Sequence, residues 1–370
     1  MSTRNPASTK KQAAVAVLAA LGVTALAACG TDDAGEAAGK SGAPAPKTVT
    51  LVSHDSFNAS KEVLAEFTKQ TGFTVKVLKA GDAGEAVNKE ILTKGSPQGD
   101  VFFGVDNTLL SRALDNGIFV GHQAKGLDRI PAEYHLDKEH RVTPIDSGDI
   151  CVNYDKKYFA DKKLAPPVTF DDLAKPEYKD LLVVENPERS SPGLGFLLGT
   201  AAKYGDDGWQ DYWKKLRANG VKTVDSWELA YNQEFSGSAG GKQAKGDRPL
   251  VVSYASSPPV EVLYAEPQPK EAPTGVSTGT CFRQTEFAGL LNGAKNPEGG
   301  KALIDFLISK KFQEDMPLQM FVNPVAKDAA LPELFTKHGV VVGKPETMEP
   351  GKIAEKRDAW IQQWSSLVLK

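Results

Sequence analysis

The sequence is poor in the residues that build most metal and catalytic centres. It holds 3 cysteines and 5 histidines in 370 residues. The histidines are scattered and no Cys or His cluster has zinc-ligand spacing, so neither metal nor cofactor is expected. No Gly-x-Ser-x-Gly nucleophile elbow, Walker loop or zinc-binding helix is expected either. Ser190-Ser191 has no His and Asp partners by spacing. No apolar run beyond the first 28 residues is long enough to span a bilayer. No low-complexity body displaces the globular mixture of 41% hydrophobic and 25% charged residues. With no catalytic set in view, the expectation is a protein that binds and is not an enzyme.

The amino-terminal segment reads as an export signal. Arg4, Lys10 and Lys11 form a positive start, and Ala13 to Leu26 is apolar but too short to cross a membrane. It ends in Leu26-Ala27-Ala28-Cys29-Gly30, which resembles a bacterial lipobox, with Cys29 as the lipidated residue. Residues 1–28 are therefore expected to be a signal peptide and 29–47 a lipid-anchored tether. The tether is rich in Gly, Ala, Asp, Ser and Pro, a mixture that buries too little to fold. The lipid would be the chain's one contact with the membrane, on its outer face. Losing the signal leaves 41 basic against 47 acidic residues, a net charge of −6. That balance disfavours nucleic acid and mildly favours a cationic ligand. Cys151 and Cys281 remain, and an even pair outside the membrane reads as a disulfide.

The mature chain is long enough for two lobes. Thr48–Ser53, 73–78 and 100–105 read as strands alternating with helices at 61–70, 86–93 and 109–116, an order that predicts a mostly parallel sheet covered on both faces. A second set follows: strands at 150–154, 181–184, 221–224 and 250–254, with helices at 193–204 and 208–218. Residues 236–248 read as an exposed loop. Thr280–Thr285 is strand-like, and helices are expected at 298–308 and 352–367. The fold class is thus α/β, two-lobed, with residues 48–149 and 282–370 in the first lobe and 150–281 in the second. Open sheets bind ligands at the carboxyl ends of their strands, so a cleft is expected there, closing by a hinge.

Polar and aromatic residues gather at those strand ends. His54, Asp55 and Ser56 follow the first strand, Asp82 the second, and Asp106 the third. Ser190 and Ser191 open a helix whose free N–H groups suit a phosphate or hydroxyl. Trp227 and Tyr231 stand one helical turn apart, suited to stacking on a flat or cationic ligand. Tyr254 and Ser257 end another strand. Each has a plainer reading, as a helix cap or as core.

These residues carry a resemblance. Asp55-Ser56-Phe57, the run 100–110, Asn153-Tyr154-Asp155-Lys156, Ser191-Pro192-Gly193-Leu194-Gly195, Trp227 to Tyr231, the run 250–258 and Asn323-Pro324-Val325-Ala326 occur in the order seen in the thiamine-binding proteins of bacterial ABC importers. The chain resembles that family, which has the type II periplasmic-binding fold, over essentially its whole mature length. The resemblance implies a thiamine or thiamine-phosphate ligand, ABC permease subunits as partners and a monomer. It implies Asp82 as acceptor for the aminopyrimidine, Trp227, Tyr254 and Phe321 as aromatic walls, Ser190 near the polar tail, and Asn323 within the ligand set. His54 and Phe321 depart from the tyrosine and tryptophan the family can have, and Val260 stands where it can have a tyrosine. A polyamine or ferric-ion binder of the same fold is the alternative, and a thiamine-degrading enzyme is an alternative of another class. Cys151 and Cys281 would tie the two strands crossing between lobes.

Overall fold

The computed structural model describes residues 47–238 and 246–370. The signal segment, Cys29, the tether up to residue 46 and the centre of the 236–248 loop lie outside the described residues.

Alternating β-branched and helix-forming stretches build the first half. The strands β1 (Thr48–Ser53), β2 (Thr74–Lys79) and β3 (Val101–Asp106) alternate with the helices α1 (Lys61–Thr71), α2 (Ala83–Leu92) and α3 (Leu110–Asp115). Local chemistry sets the boundaries. Ser60 caps α1 by accepting from the Val63 amide, and Gly72 ends it in the left-handed region. Asp82 caps α2, which starts three residues before its expected position.

A short strand β4 (Phe119–Val120) leads to the 13-residue β5 (Thr143–Asp155). Beyond it come α4 (Lys156–Lys162), α5 (Phe170–Leu173), β6 (Leu182–Glu185), α6 (Ser191–Tyr204), α7 (Trp209–Ala218), β7 (Lys222–Val224) and the single turn α8 (Trp227–Leu229). Then follow β8 (Leu250–Tyr254), α9 (Pro258–Leu263), the 18-residue β9 (Thr274–Leu291), α10 (Pro297–Leu307), α11 (Lys310–Met320), β10 (Asn323–Pro324), α12 (Glu333–His338) and α13 (Pro350–Val368).

Among the described residues the strands form one curled sheet in the order β2-β1-β3-β9-β5-β8-β6-β7. The expected parallel pairing holds within each half, β1 with β2 and β3, and β6 with β7 and β8. Between the halves the pairing is antiparallel, through β5 and β9. The sequence reading caught only 150–154 and 280–285 of these two strands. Asp146, Ser147, Asp149 and Gln284 interrupt the apolar pattern, and the strands are longer than one half requires because each passes through both. Their register breaks between Ile150 and Val152, and there Cys151 is bonded to Cys281.

Helix α6 lies against this centre, with every residue from Ser191 to Ala201 buried. Glycine makes the approach possible: a Cβ at Gly195 would sit 2.3 Å from the Ile150 Cδ1 atom. Helix α13 packs Trp360 and Trp364 edge-on to Trp209 and Trp213 of α7. It also reaches α3, where Arg112 meets Asp358 at 3.4 Å. The carboxy-terminal helix therefore touches elements of both halves of the sheet.

Candidate functional site

The carboxyl ends of the parallel strands converge on a cleft with about 570 Å³ of empty space, its mouth included. Its wall from the first half is built by His54 and Ser56, just past β1, and by Asp82, the cap of α2. The second half contributes Ser191 and Pro192 at the start of α6, Trp227, Tyr254 at the end of β8, Ser257 and Val260. Met320, which ends α11, and Phe321 and Val322 just after it close a further side, and Glu286 of β9 lies in the floor.

Trp227 is held as a rigid platform. Its indole stacks on Tyr231 at 5.0 Å with 13° between planes. Its Nε1 donates to Ser253 Oγ at 2.9 Å, and Ser253 in turn bonds to Ser257. Tyr231 stands behind, buried, donating its hydroxyl to Glu261 at 2.7 Å. A ring fixed on one face by stacking and at its edge by a hydrogen bond offers its other face at little entropic cost.

Asp82 is the polar centre. One carboxylate oxygen accepts from the Ala83 amide at 2.6 Å and the other from the Trp227 amide at 2.9 Å. The second bond spans the cleft, as does that from Ser56 Oγ to Glu228 at 2.9 Å. Burial pushes the Asp82 carboxyl above its ordinary value, against those two amide bonds and the charge of His54. The Ser190 hydroxyl lies beside Asp82, buried and without a well-formed hydrogen bond.

Acids crowd the floor. Asp146 of β5 faces Glu286 of β9 in the strand register, and both are buried. Burial, then the Glu286 charge, hold Asp146 well above the carboxylate range. Burial also pushes Asp106 up to about 6, although Thr108 and Gln284 bond to it. His54 meets Glu286 at 3.5 Å. Burial pulls the imidazole down, but Glu286, Asp82 and Asp55 outweigh it and hold it above its usual value. Gly104 makes room for this ring, since a Cβ there would come within 2.2 Å of His54 Cδ2.

Of the sequence-derived candidates, His54, Ser56, Asp82, Ser191, Trp227, Tyr254, Ser257 and Phe321 line the cleft. Tyr231 and Ser190 support it from behind. Asp55 turns outward and accepts from the Gly81 amide at 3.1 Å. Asp106 is spent on protein donors, accepting from Thr108, Leu109 and Gln284. Asn323 pairs with Ser147 in the sheet. The sequence reading missed Glu286, whose one signal is a lone acid before the apolar run Phe287–Leu291. The Gly-x-Ser-x-Gly spelling, read as absent, does occur at Gly275–Gly279. It lies within β9 and not on a strand–helix turn, and Ser277 donates to the Pro167 carbonyl at 2.6 Å. Among the described residues no cluster of His, Cys, Asp and Glu is arranged to hold a metal ion.

Residues 96–253 match the family described as bacterial extracellular solute-binding proteins. The thiamine-binding periplasmic protein of Salmonella typhimurium is 29% identical over 88% of this chain and 94% of its own length. That of Escherichia coli is 29% identical with the same coverage. Among solved structures, a periplasmic thiamin binding protein superposes with a TM-score of 0.74 at 26% identity, over 87% of this chain and 96% of that one. A ferric binding protein from Campylobacter jejuni shares the fold, with a TM-score of 0.67 at 18% identity over 86% of this chain and 99% of that one.

Proposed function

We propose that this protein, a solute-binding protein of the type II periplasmic-binding fold, captures thiamine or a thiamine phosphate outside the cell and delivers it to an ABC importer. One observation carries the ligand: a half-buried carboxylate, Asp82, and a pre-set aromatic platform, Trp227 on Tyr231, face the same cleft. Each Asp82 oxygen retains a second lone pair for the aminopyrimidine amine. The thiazolium cation suits the faces of Trp227, Tyr254 and Phe321, at about 0.5–2 kcal/mol per good contact. The start of α6 suits the hydroxyethyl tail or its phosphate. His54, Phe321 and Val260 are the positions that set this pocket apart from the family pattern.

Capture of this kind needs no bond-making step. A thiamine-degrading activity would need a reactive thiol in the cleft, and Cys151 and Cys281 are joined to each other. In this reading the lobes comprise 48–149 with 282–370 and 150–281, Cys29 carries the lipid anchor, and the protein acts as a monomer.

Calorimetric titration of the lipid-free mature protein with thiamine, its two phosphates and spermidine tests the reading. Binding of a thiamine form, lost or weakened at least tenfold by Asp82→Ala and Trp227→Ala, is expected. Heat with spermidine and none with any thiamine form would replace the ligand by a polyamine.

A further inference from the structure

The acids beneath the cleft outnumber what the fold needs. Asp106 is tied down by the α3 turn and by Gln284. Among the described residues Glu286 meets only the edge of the His54 imidazole, at 3.5 Å, and Asp146 lacks donors of that kind. The two acids project from directly opposed positions on β9 and β5, they are buried, and one Asp146 oxygen has no hydrogen-bond partner. Two anions buried at opposed positions repel strongly, so Asp146, the more deeply buried, keeps its proton beside Glu286. Glu286 also lines the ligand cleft, whereas Asp146 does not.

The groups facing this pair come from every element around it. Asp106 ends β3, His54 follows β1, Asp82 caps α2, and Tyr254 ends β8. Further along the same two strands, Asp149 and Arg283 neutralise each other. The surroundings of the pair are therefore mainly acidic, with the His54 imidazole as the neighbouring cation.

We propose that Glu286 is the counter-charge for the positive ring of the ligand, and that entry of the cation expels the proton held by Asp146 opposite it. The inference rests on the cation-binding reading above. The O–H bond of Asp146 breaks, Asp146 becomes a carboxylate, and the proton goes to bulk buffer. No other bond changes. The incoming positive charge takes the place of the lost proton in neutralising the buried pair. Capture then strengthens as pH rises and weakens on acidification, by up to about tenfold per pH unit where one full proton is released.

The test is titration calorimetry of the mature protein with thiamine, with spermidine, and with a thiamine analogue whose thiazolium is replaced by an uncharged thiophene. Each is run at one pH in buffers of different ionisation enthalpy. The dependence of observed heat on buffer counts the protons released. We expect net release with whichever cation binds, none with the neutral analogue, and release lost in Asp146→Asn with binding retained. Glu286→Gln should weaken the cation at least tenfold and leave the neutral analogue within about threefold, which also shows that the variant is folded. Buffer-independent heat with a bound cation overturns this proposal alone, as does release that persists in Asp146→Asn, which would assign the proton to His54. Binding of the neutral analogue with neither cation overturns both this proposal and the thiamine reading.

Discussion

At the scale of the residue, the cleft depends on side chains whose positions are dictated by neighbours that do not line it. His54 has its place because Gly104, in the left-handed region at φ 100°, leaves the space a Cβ would fill. Gly104→Ala should cost about 1–3 kcal/mol of stability through backbone strain and the clash with the imidazole. It should also weaken ligand binding, and denaturant unfolding beside a titration measures both. Tyr231 is similar in kind. It underlies Trp227 and donates to Glu261, so Tyr231→Ala removes the support of the platform without removing a cleft-lining group. A loss of affinity of about tenfold is expected, with Tyr231→Phe retaining more because the stacking survives. Asp82, Trp227 and Tyr254 were legible in the sequence because strand ends and helix starts are local signals. Asp106, legible in the same way, proved to be a structural knot. Nothing local distinguishes an acid that faces a cleft from one that accepts three protein donors.

At the scale of the element, β5 and β9 decide the architecture. They carry both passages between the halves of the sheet, and the disulfide links them across 130 residues of chain. A cross-link closing so long a loop stabilises chiefly by restricting the unfolded chain. The double variant Cys151→Ser, Cys281→Ser should lose about 2–4 kcal/mol in denaturant unfolding. Ligand affinity should change little, since neither cysteine lines the cleft. The full length of these strands was not legible. Strand patterning relies on apolar alternation, and the two strands bury Asp146, Gln284 and Glu286, whose polar neighbours are distant in sequence.

At the scale of the whole molecule, the buried acids give the unliganded protein a particular response to pH. A carboxyl raised by burial keeps its proton in the folded chain at pH values where the unfolded chain has lost it. Its contribution is complete below the unfolded value and is lost as pH rises through the folded one. For Asp106 that window runs from 3.8 to about 6. His54, also raised, acts in the same direction, starting from 6.5. Surface acids such as Asp172, held low by Lys175, act oppositely, and their contribution fades only in stronger acid. The thermal midpoint of the unliganded protein should therefore rise by about 2–4 °C from pH 7.5 to pH 5, as scanning calorimetry will show. The two bonds across the cleft, Asp82 to the Trp227 amide and Ser56 to Glu228, belong to this scale as well. Ser56→Ala should bias the protein toward an open form, visible as a larger radius of gyration in solution scattering without ligand.

The sequence by itself determined the α/β alternation, the paired cysteines and most of the cleft's aromatic and hydroxyl lining. Those follow from periodicity, capping and turn chemistry, all of which act within a few residues. Tertiary structure alone decided that two long strands run antiparallel through the centre, that Trp227 rests on Tyr231 while bonded to Ser253, and that Glu286 stands opposite Asp146 beneath the cleft. Each of these joins residues far apart in the chain. Their proximity is set by sheet register, which a local pattern does not encode.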